Sequence, residues 1–401
     1  MDNKIEVSVI VPMFNVGQYI KELINGLKIN NCNFEALLIN DGSVDDTLEQ
    51  AKISVNNDKR FKIIEKEHSG VSTTRNLGLN IAVGDYILFC DGDDLILENA
   101  IDKLLDAAKQ TKADLVYAGI KRFDGEKIWK TEGYEKYNVF TQGYKNILKN
   151  PELFHNIGPT TKLIHRKLLS NGIYFPENIH FAEDQVFTFN LYINAEKIYC
   201  TGEYIYLYRK RDIDTIFKST NQNKNARAFE FFSNVIEVLK INKNTLLSNQ
   251  NSFSDNEKIE ILKNYYDRVF EFELYPLFVK VMKYDKIKAG EALKLLLDFL
   301  KNFDRIFINQ FLAIRHYFLY ILSTNLIPLR YFMEYKKLIN WIYSQLYMDV
   351  KISCKKDWKK KKYINIWIIA NSNFLFGFFY FCMYKLINKI KRRLFKLLAK
   401  N

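Results

Sequence analysis

Cysteine and proline are scarce in these 401 residues, at five and six, and glycine is modest at 16. The cysteines (Cys32, Cys90, Cys200, Cys354 and Cys382) lie far apart, with neither a CxxC pair nor zinc-ligand spacing, which excludes a disulfide scaffold and predicts reduced thiols in the cytosol. With 48% hydrophobic and 15% aromatic residues the chain is neither disordered nor collagenous. A charge of one sign is also missing from most of it. The total is 59 basic against 46 acidic residues, a net +13, yet residues 351–401 hold 14 Lys/Arg and a single acid, Asp357, so the first 350 residues balance at zero. Nucleic-acid binding by the main body loses its electrostatic basis. The apolar run 7–13 is too short for a signal peptide and follows Asp2 and Glu6.

What is present begins as an alternation. Short β-branched runs at 7–11, 36–39, 61–64, 86–90 and 115–117 read as strands, and helical patterns fall between them at 19–27, 45–54, 71–82 and 97–109. Near-continuous apolar strands separated by helices predict an α/β fold with a parallel sheet covered on both faces, its strand C-terminal ends aligned on one ligand-binding rim. A G-x-G-x-x-G fingerprint after the first strand is absent, so a dinucleotide-binding enzyme is disfavoured. Residues 118–215 are less regular, with a helix at 184–194 and β-like pieces at 197–200 and 205–208. From about 224 the periodicity is helical, over 226–241, 257–282, 286–303, 307–322 and 329–348, with 242–256 as a polar connector. Three units result: 1–215 catalytic, 216–350 a helical accessory domain, and 351–401 a basic, apolar tail.

Chemistry concentrates at strand ends. Asp91-Gly92-Asp93-Asp94 closes the fourth strand, and carboxylates this close repel unless a cation sits among them. Hard oxygen donors with open positions suit Mg²⁺ or Mn²⁺ bridging to a diphosphate, although Asp94 also suits a cap for the following helix. Pro12 to Asn15 ends the first strand. Asp41, in Asn40-Asp41-Gly42-Ser43, either accepts a pyrimidine N3–H or makes an Asx-turn. The stretch from His68 to Gly78 opens the third helix and brings a flexible backbone and the Arg75 guanidinium to the rim.

In order and spacing these pieces resemble the family 2 inverting glycosyltransferases with the GT-A fold, over residues 5 to about 210. The matching segments are SVIVPMFN, INDGSVDDT, SGVSTTRNLGLNIAVGDYILFCDGDD and Phe181-Ala182-Glu183-Asp184-Gln185. The resemblance implies a Rossmann-like nucleotide-sugar-binding sheet and sugar transfer from a UDP-sugar to a saccharide hydroxyl, with Mg²⁺ or Mn²⁺ as cofactor. It implies that Asp41 reads uracil, that Pro12, Asn15, Arg75 and Gly92 line the nucleotide-sugar pocket, and that Asp91 and Asp93 hold the metal. Asp184 becomes the general base, taking the acceptor proton as the hydroxyl attacks opposite the departing UDP. Glu183-Asp184 equally suits a helix N-terminus. Arg209, in Tyr206 to Arg211, either closes over the diphosphate or belongs to a solvated basic loop. Lys162 and Glu183 are candidates on the acceptor side. The QxxRW signature of processive synthases is absent, which favours a non-processive transferase.

The uncharged run 363–384 has 22 residues, as a helix roughly 33 Å against a hydrocarbon core of about 30 Å. Seven Lys precede it and seven Lys/Arg follow, so a span would export a basic cluster against the positive-inside rule. Beyond it, Leu386, Ile390, Leu394, Leu397 and Leu398 recur at helical spacing among basic residues, the pattern of an interfacial amphipathic helix. The expectation is a peripheral tether to an anionic cytoplasmic membrane face beside a lipid-linked or polymeric saccharide acceptor of cell-surface glycan synthesis. A membrane-bound interaction protein that has lost catalysis on the same sheet is the alternative.

Overall fold

The structure is a computed structural model that describes residues 4–210, 227–248, 253–285 and 287–302, together with residues 333, 334, 336 and 337. Its two compact units are Met1–Lys218 with Lys240–Ile261, and Ser219–Leu239 with Leu262–Asn401. The first is built on one sheet. Strands β1 (Val7–Met13), β2 (Phe34–Asp41), β3 (Phe61–Lys66) and β4 (Tyr86–Phe89) pair in parallel in the order β3-β2-β1-β4, joined by helices α1 (Gly17–Lys28), α2 (Thr47–Val55) and α3 (Val71–Ile81). All eight residues of β2 are buried, as an apolar strand covered on both faces requires. Helix α1 presents Ile20, Leu23, Ile24 and Leu27 to that core at helical spacing.

Beyond β4 the sheet is mixed: one antiparallel strand interrupts it, and parallel pairing resumes between β6 (Leu115–Phe123) and β10 (Ile198–Arg209). A four-residue strand, β9 (Lys162–His165), runs antiparallel to both β4 and β6 and separates them. The order continues through β10 to β5 (Leu95–Ile96). Too short to show a period, β9 is set by its neighbours. The two β-like pieces expected at 197–200 and 205–208 form one strand, β10, with register shifts between Cys200 and Tyr206 and Gly202 at φ +78°. Helix α4 (Ala100–Thr111) starts later than its sequence pattern, because Leu95–Ile96 pairs with β10 and Asn99 turns left-handed at φ 55°. Helix α6 (Glu183–Asn194) follows the pattern closely.

The C-terminal half is helical where described. One helix, Ala228–Ser248, runs into the expected connector. Asp255–Val269, a π-turn at Phe270–Leu274 and Tyr275–Tyr284 form a continuous rod, the wide turn falling just before Pro276, which has no N–H to offer the preceding turn. Phe270 and Phe278 are buried, as expected of core aromatics. The patterns at 307–322 and 329–348 lie outside the described residues apart from four positions, and the tail 351–401 wholly so. Among the described residues no helix is long and apolar enough to cross a membrane.

Candidate active site

The loops after β1 and β2 are stitched to each other. Asn15, left-handed at φ 52°, accepts from Val44 N at 3.0 Å and donates its own N–H to Ser43 Oγ at 3.1 Å; Val16 N and Gly17 N reach Thr47 Oγ1 and Asp45 Oδ2. Pro12 sits just inside, its carbonyl so near Gly92 that a Cβ there would stand 3.1 Å away and also 3.1 Å from Val16 Cγ2. The rim thus brings Pro12, Asn15 and Gly92 together.

Asp41 is 3% exposed and its carboxylate is fully engaged. Oδ1 accepts from Ser69 N at 2.9 Å and from Lys66 Nζ, while Oδ2 accepts from Gly70 N at 2.9 Å and lies 2.9 Å from His68 Nδ1. Burial opposes its charge, but Lys66 and the two backbone N–H groups outweigh burial and hold the carboxyl below its usual range. The Asx-turn falls to the neighbouring residue instead, Asn40 Oδ1 accepting from Ser43 N at 3.2 Å. The ring of His68 stacks on Phe14 at 4.3 Å.

The acidic turn is held by two arginines. Arg75 is 6% exposed; its Nη2 lies 2.9 Å from Asp91 Oδ1, its Nη1 3.3 Å from Glu183 Oε1, and its guanidinium 5.2 Å from the Phe175 ring. Burial works against this charge, but Asp91, Glu183 and Asp184 together hold it in place. Helix α3 can bring Arg75 so deep because Gly78, one turn on, faces Ile10 of β1, where a Cβ would stand 2.4 Å from Ile10 Cγ2. Arg209 braces the other side: its Nε donates to Asp93 O at 2.8 Å, its Nη2 to Glu22 at 2.9 Å, and its ring neighbours are Tyr19 and Phe123. At 9% exposure it is a built-in strut, not part of a solvated loop. Asp94 is 1% exposed and accepts from Arg209 N at 2.7 Å, so it caps β10 rather than a helix. Burial, then the charges of Asp91 and Asp93, push its carboxyl up. Tyr206 accepts from Asp91 N at 3.0 Å, a contact across 115 residues that no local pattern announces.

Asp91 and Asp93 remain partly exposed at the rim. Among the described residues no three carboxylate, histidine or cysteine side chains form a closed metal cage. Two half-exposed carboxylates are nonetheless a fitting donor set for a hard cation that completes its shell with diphosphate oxygens and water.

Glu183 and Asp184 open α6 after Ala182, left-handed at φ 64°, and the helix N-terminus favours their charge. Lys162 opens β9 beside this helix, with no exposed surface, and its Nζ donates to Gly158 O. Its side chain is therefore enclosed, and burial pushes its ammonium down to about 7. The preceding Thr160 bridges to Phe89, which carries this loop against the start of the acidic turn.

The comparisons with known proteins agree with this geometry. Residues 8–172 match the model of glycosyl transferase family 2. The chain is 32% identical over 209 residues to the uncharacterized glycosyltransferase EpsJ of Bacillus subtilis, covering 51% of this chain and 61% of EpsJ. Glycosyltransferase GlyG of Streptococcus pneumoniae serotype 4 is 30% identical over 218 residues, with 51% of this chain and 71% of GlyG covered. TarS of Staphylococcus aureus, a poly(ribitol-phosphate) beta-N-acetylglucosaminyltransferase, is 30% identical over 207 residues, half of this chain and 35% of TarS. A crystal structure of TarS 1-349 with UDP-GlcNAc superposes with a TM-score of 0.63 at 25% identity, covering 76% of this chain and 84% of that one. With the strand-end motifs on a sheet of the GT-A type and these matches running through them, the chain belongs to glycosyl transferase family 2.

Proposed function

We propose that the chain transfers a sugar, with inversion, from a UDP-sugar to a hydroxyl of a polymeric or lipid-linked saccharide at the cytoplasmic membrane face. The observation that carries this reading is Arg75, which joins Asp91 of the donor-side turn to Glu183 at the head of α6, so that leaving-group and acceptor chemistry meet at one guanidinium. Asp91 and Asp93 would hold Mg²⁺ or Mn²⁺, which when bound neutralises charge on the departing diphosphate. Asp184, one residue beyond Glu183, takes the proton from the attacking hydroxyl. Asp41 keeps its orientation through the Ser69 and Gly70 N–H groups while Lys66 or His68 yields its place to the base. UDP-GlcNAc is the first donor to test, since TarS is solved with it, and poly(ribitol phosphate) the first acceptor, since TarS is named for it. The tail supplies the tether. UDP release, measured for a panel of UDP-sugars with and without Mn²⁺, tests the reading; no release from any of them overturns it.

A further inference from the structure

The nucleobase end of the site is filled by one of the chain's own side chains. His68 lies in the loop between β3 and α3, its ring stacked on Phe14 with 4.3 Å between centroids and 22° between planes. Its Nδ1 is 2.9 Å from Asp41 Oδ2 and 3.1 Å from the Asp41 carbonyl oxygen. Both neighbours are acceptors, so Nδ1 carries a proton and donates, whatever the state of Nε2. A flat ring on the Phe14 face with an N–H aimed at the Asp41 carboxylate is also what a pyrimidine with an N3–H presents.

Of the donors around Asp41, His68 is the one whose side chain can leave. Ser69 and Gly70 donate backbone N–H groups at 2.9 Å each and fix the carboxylate. Lys66 spends its three ammonium protons on Asp41 Oδ1, Glu67 O and Ser69 Oγ, with its side chain only 16% exposed. The His68 side chain is 57% exposed and has one N–H engaged. Its backbone, by contrast, is held against the loop after β2. Gly42, left-handed at φ +68°, approaches so closely that a Cβ there would stand 2.9 Å from His68 N. A rotation about the His68 Cα–Cβ bond therefore uncovers the Phe14 ring and Asp41 Oδ2 while the loop stays in place.

We propose that His68 is a resident occupant of the nucleobase place, an autoinhibitory contact that a uracil nucleotide displaces on binding. In the empty chain the imidazole takes the Phe14 face and the bond to Asp41 Oδ2. In the loaded chain the nucleobase takes both, and the imidazole turns out to water. The neutral Nδ1–H tautomer already makes both contacts, so the displacement needs no titration. Every ligand that uses the nucleobase place then binds more weakly by one common factor, the reciprocal of the open fraction, and a ligand that uses only the acidic turn is unaffected. The inference rests on the reading of Asp41 as the uracil partner.

Calorimetric titration of the full chain tests it, with His68→Ala beside wild type. For an open fraction of roughly 3–30% in wild type, uridine, and UDP with Mn²⁺, bind about 3- to 30-fold more tightly to His68→Ala, both by the same factor. Pyrophosphate with Mn²⁺, which lacks the nucleobase, binds both chains equally. Unchanged or weaker uridine binding by the variant overturns the proposal, as does an equal gain for pyrophosphate. A second measurement keeps the wild-type side chain in place. With ring-labelled histidine, the His68 line is identified by its loss in His68→Ala and carries the ring-current shift of the Phe14 face. Saturating uridine moves it to an unstacked position, and pyrophosphate with Mn²⁺ does not. A His68 line that uridine leaves in place also overturns the proposal. Failure of the nucleotide reading looks different: neither chain then binds uridine or UDP, whereas a failed displacement leaves UDP binding intact and no tighter in the variant.

Discussion

Replacing Arg75 by methionine keeps an unbranched apolar stem and removes the guanidinium, both from between two carboxylates and from over the Phe175 ring. Breaking a buried ion pair costs roughly 3–5 kcal/mol when the surviving charge stays buried. Here the arginine side chain is 7% exposed, but Asp91 is 28% and Glu183 15% exposed, so water can recover part of the loss. The expected cost is therefore about 2–4 kcal/mol. Arg75→Lys should recover about half, because one ammonium can face only one of the two carboxylates at a time. Urea unfolding followed by circular dichroism, with m-values compared, measures both variants. The decisive control is charge removal on the other side: Asp91→Asn with Glu183→Gln, added to Arg75→Met, should restore more than half of the lost stability, because both carboxylates that paired with the guanidinium are then neutral. A methionine variant within about 1 kcal/mol of wild type would refute the bridge as an energetic element, as would a triple variant no more stable than the single one.

Asp184→Asn is expected to retain UDP-sugar binding while turnover falls ~10²–10⁴-fold, the range of a positioned general base; an unchanged rate would move the role to Glu183. Asp93→Ala should abolish Mn²⁺-dependent UDP binding with little change in Tm, checked by calorimetry in the presence and absence of EDTA, and metal-independent binding of equal strength would contradict it. Glu35, 2% exposed, accepts from Ser8 Oγ at 2.6 Å, Val83 N at 2.8 Å and Lys62 Nζ at 2.8 Å, and these bonds outweigh burial to hold its pKa below 4.5. With the folded pKa below the unfolded one, its contribution is present above about pH 4.5 and lost as pH falls through the folded value, so the deficit of Glu35→Gln in urea unfolding should shrink from pH 7 to pH 3. Removing residues 351–401 should abolish sedimentation with phosphatidylserine vesicles in low salt; equal sedimentation of the truncated chain would rule out the tether.

Much of this protein was legible locally. Near-continuous apolar, β-branched runs and a period of 3.6 between them located β1 to β4 and α1 to α3, since a strand covered on both faces is apolar throughout and a helix buries one stripe. The acidic turn, Asp41 and Asp184 stand at element ends for the same local reason, and their order in the chain already carried the family resemblance. The tertiary structure decided what those groups touch. β9 has four residues and no period to read, yet it enters the sheet antiparallel between β4 and β6 and carries Lys162 inside. Arg75 reaches Glu183 across 108 residues, and Arg209 reaches Asp94 across 115, by contacts that exist only once the sheet order is set. Lys66 and His68 fill Asp41 because β3 lies beside β2, a neighbour relation that no residue of either strand encodes alone. Backbone periodicity is a local property of the chain, whereas the partner of a buried charge depends on which strands are adjacent, and only the closed sheet determines that.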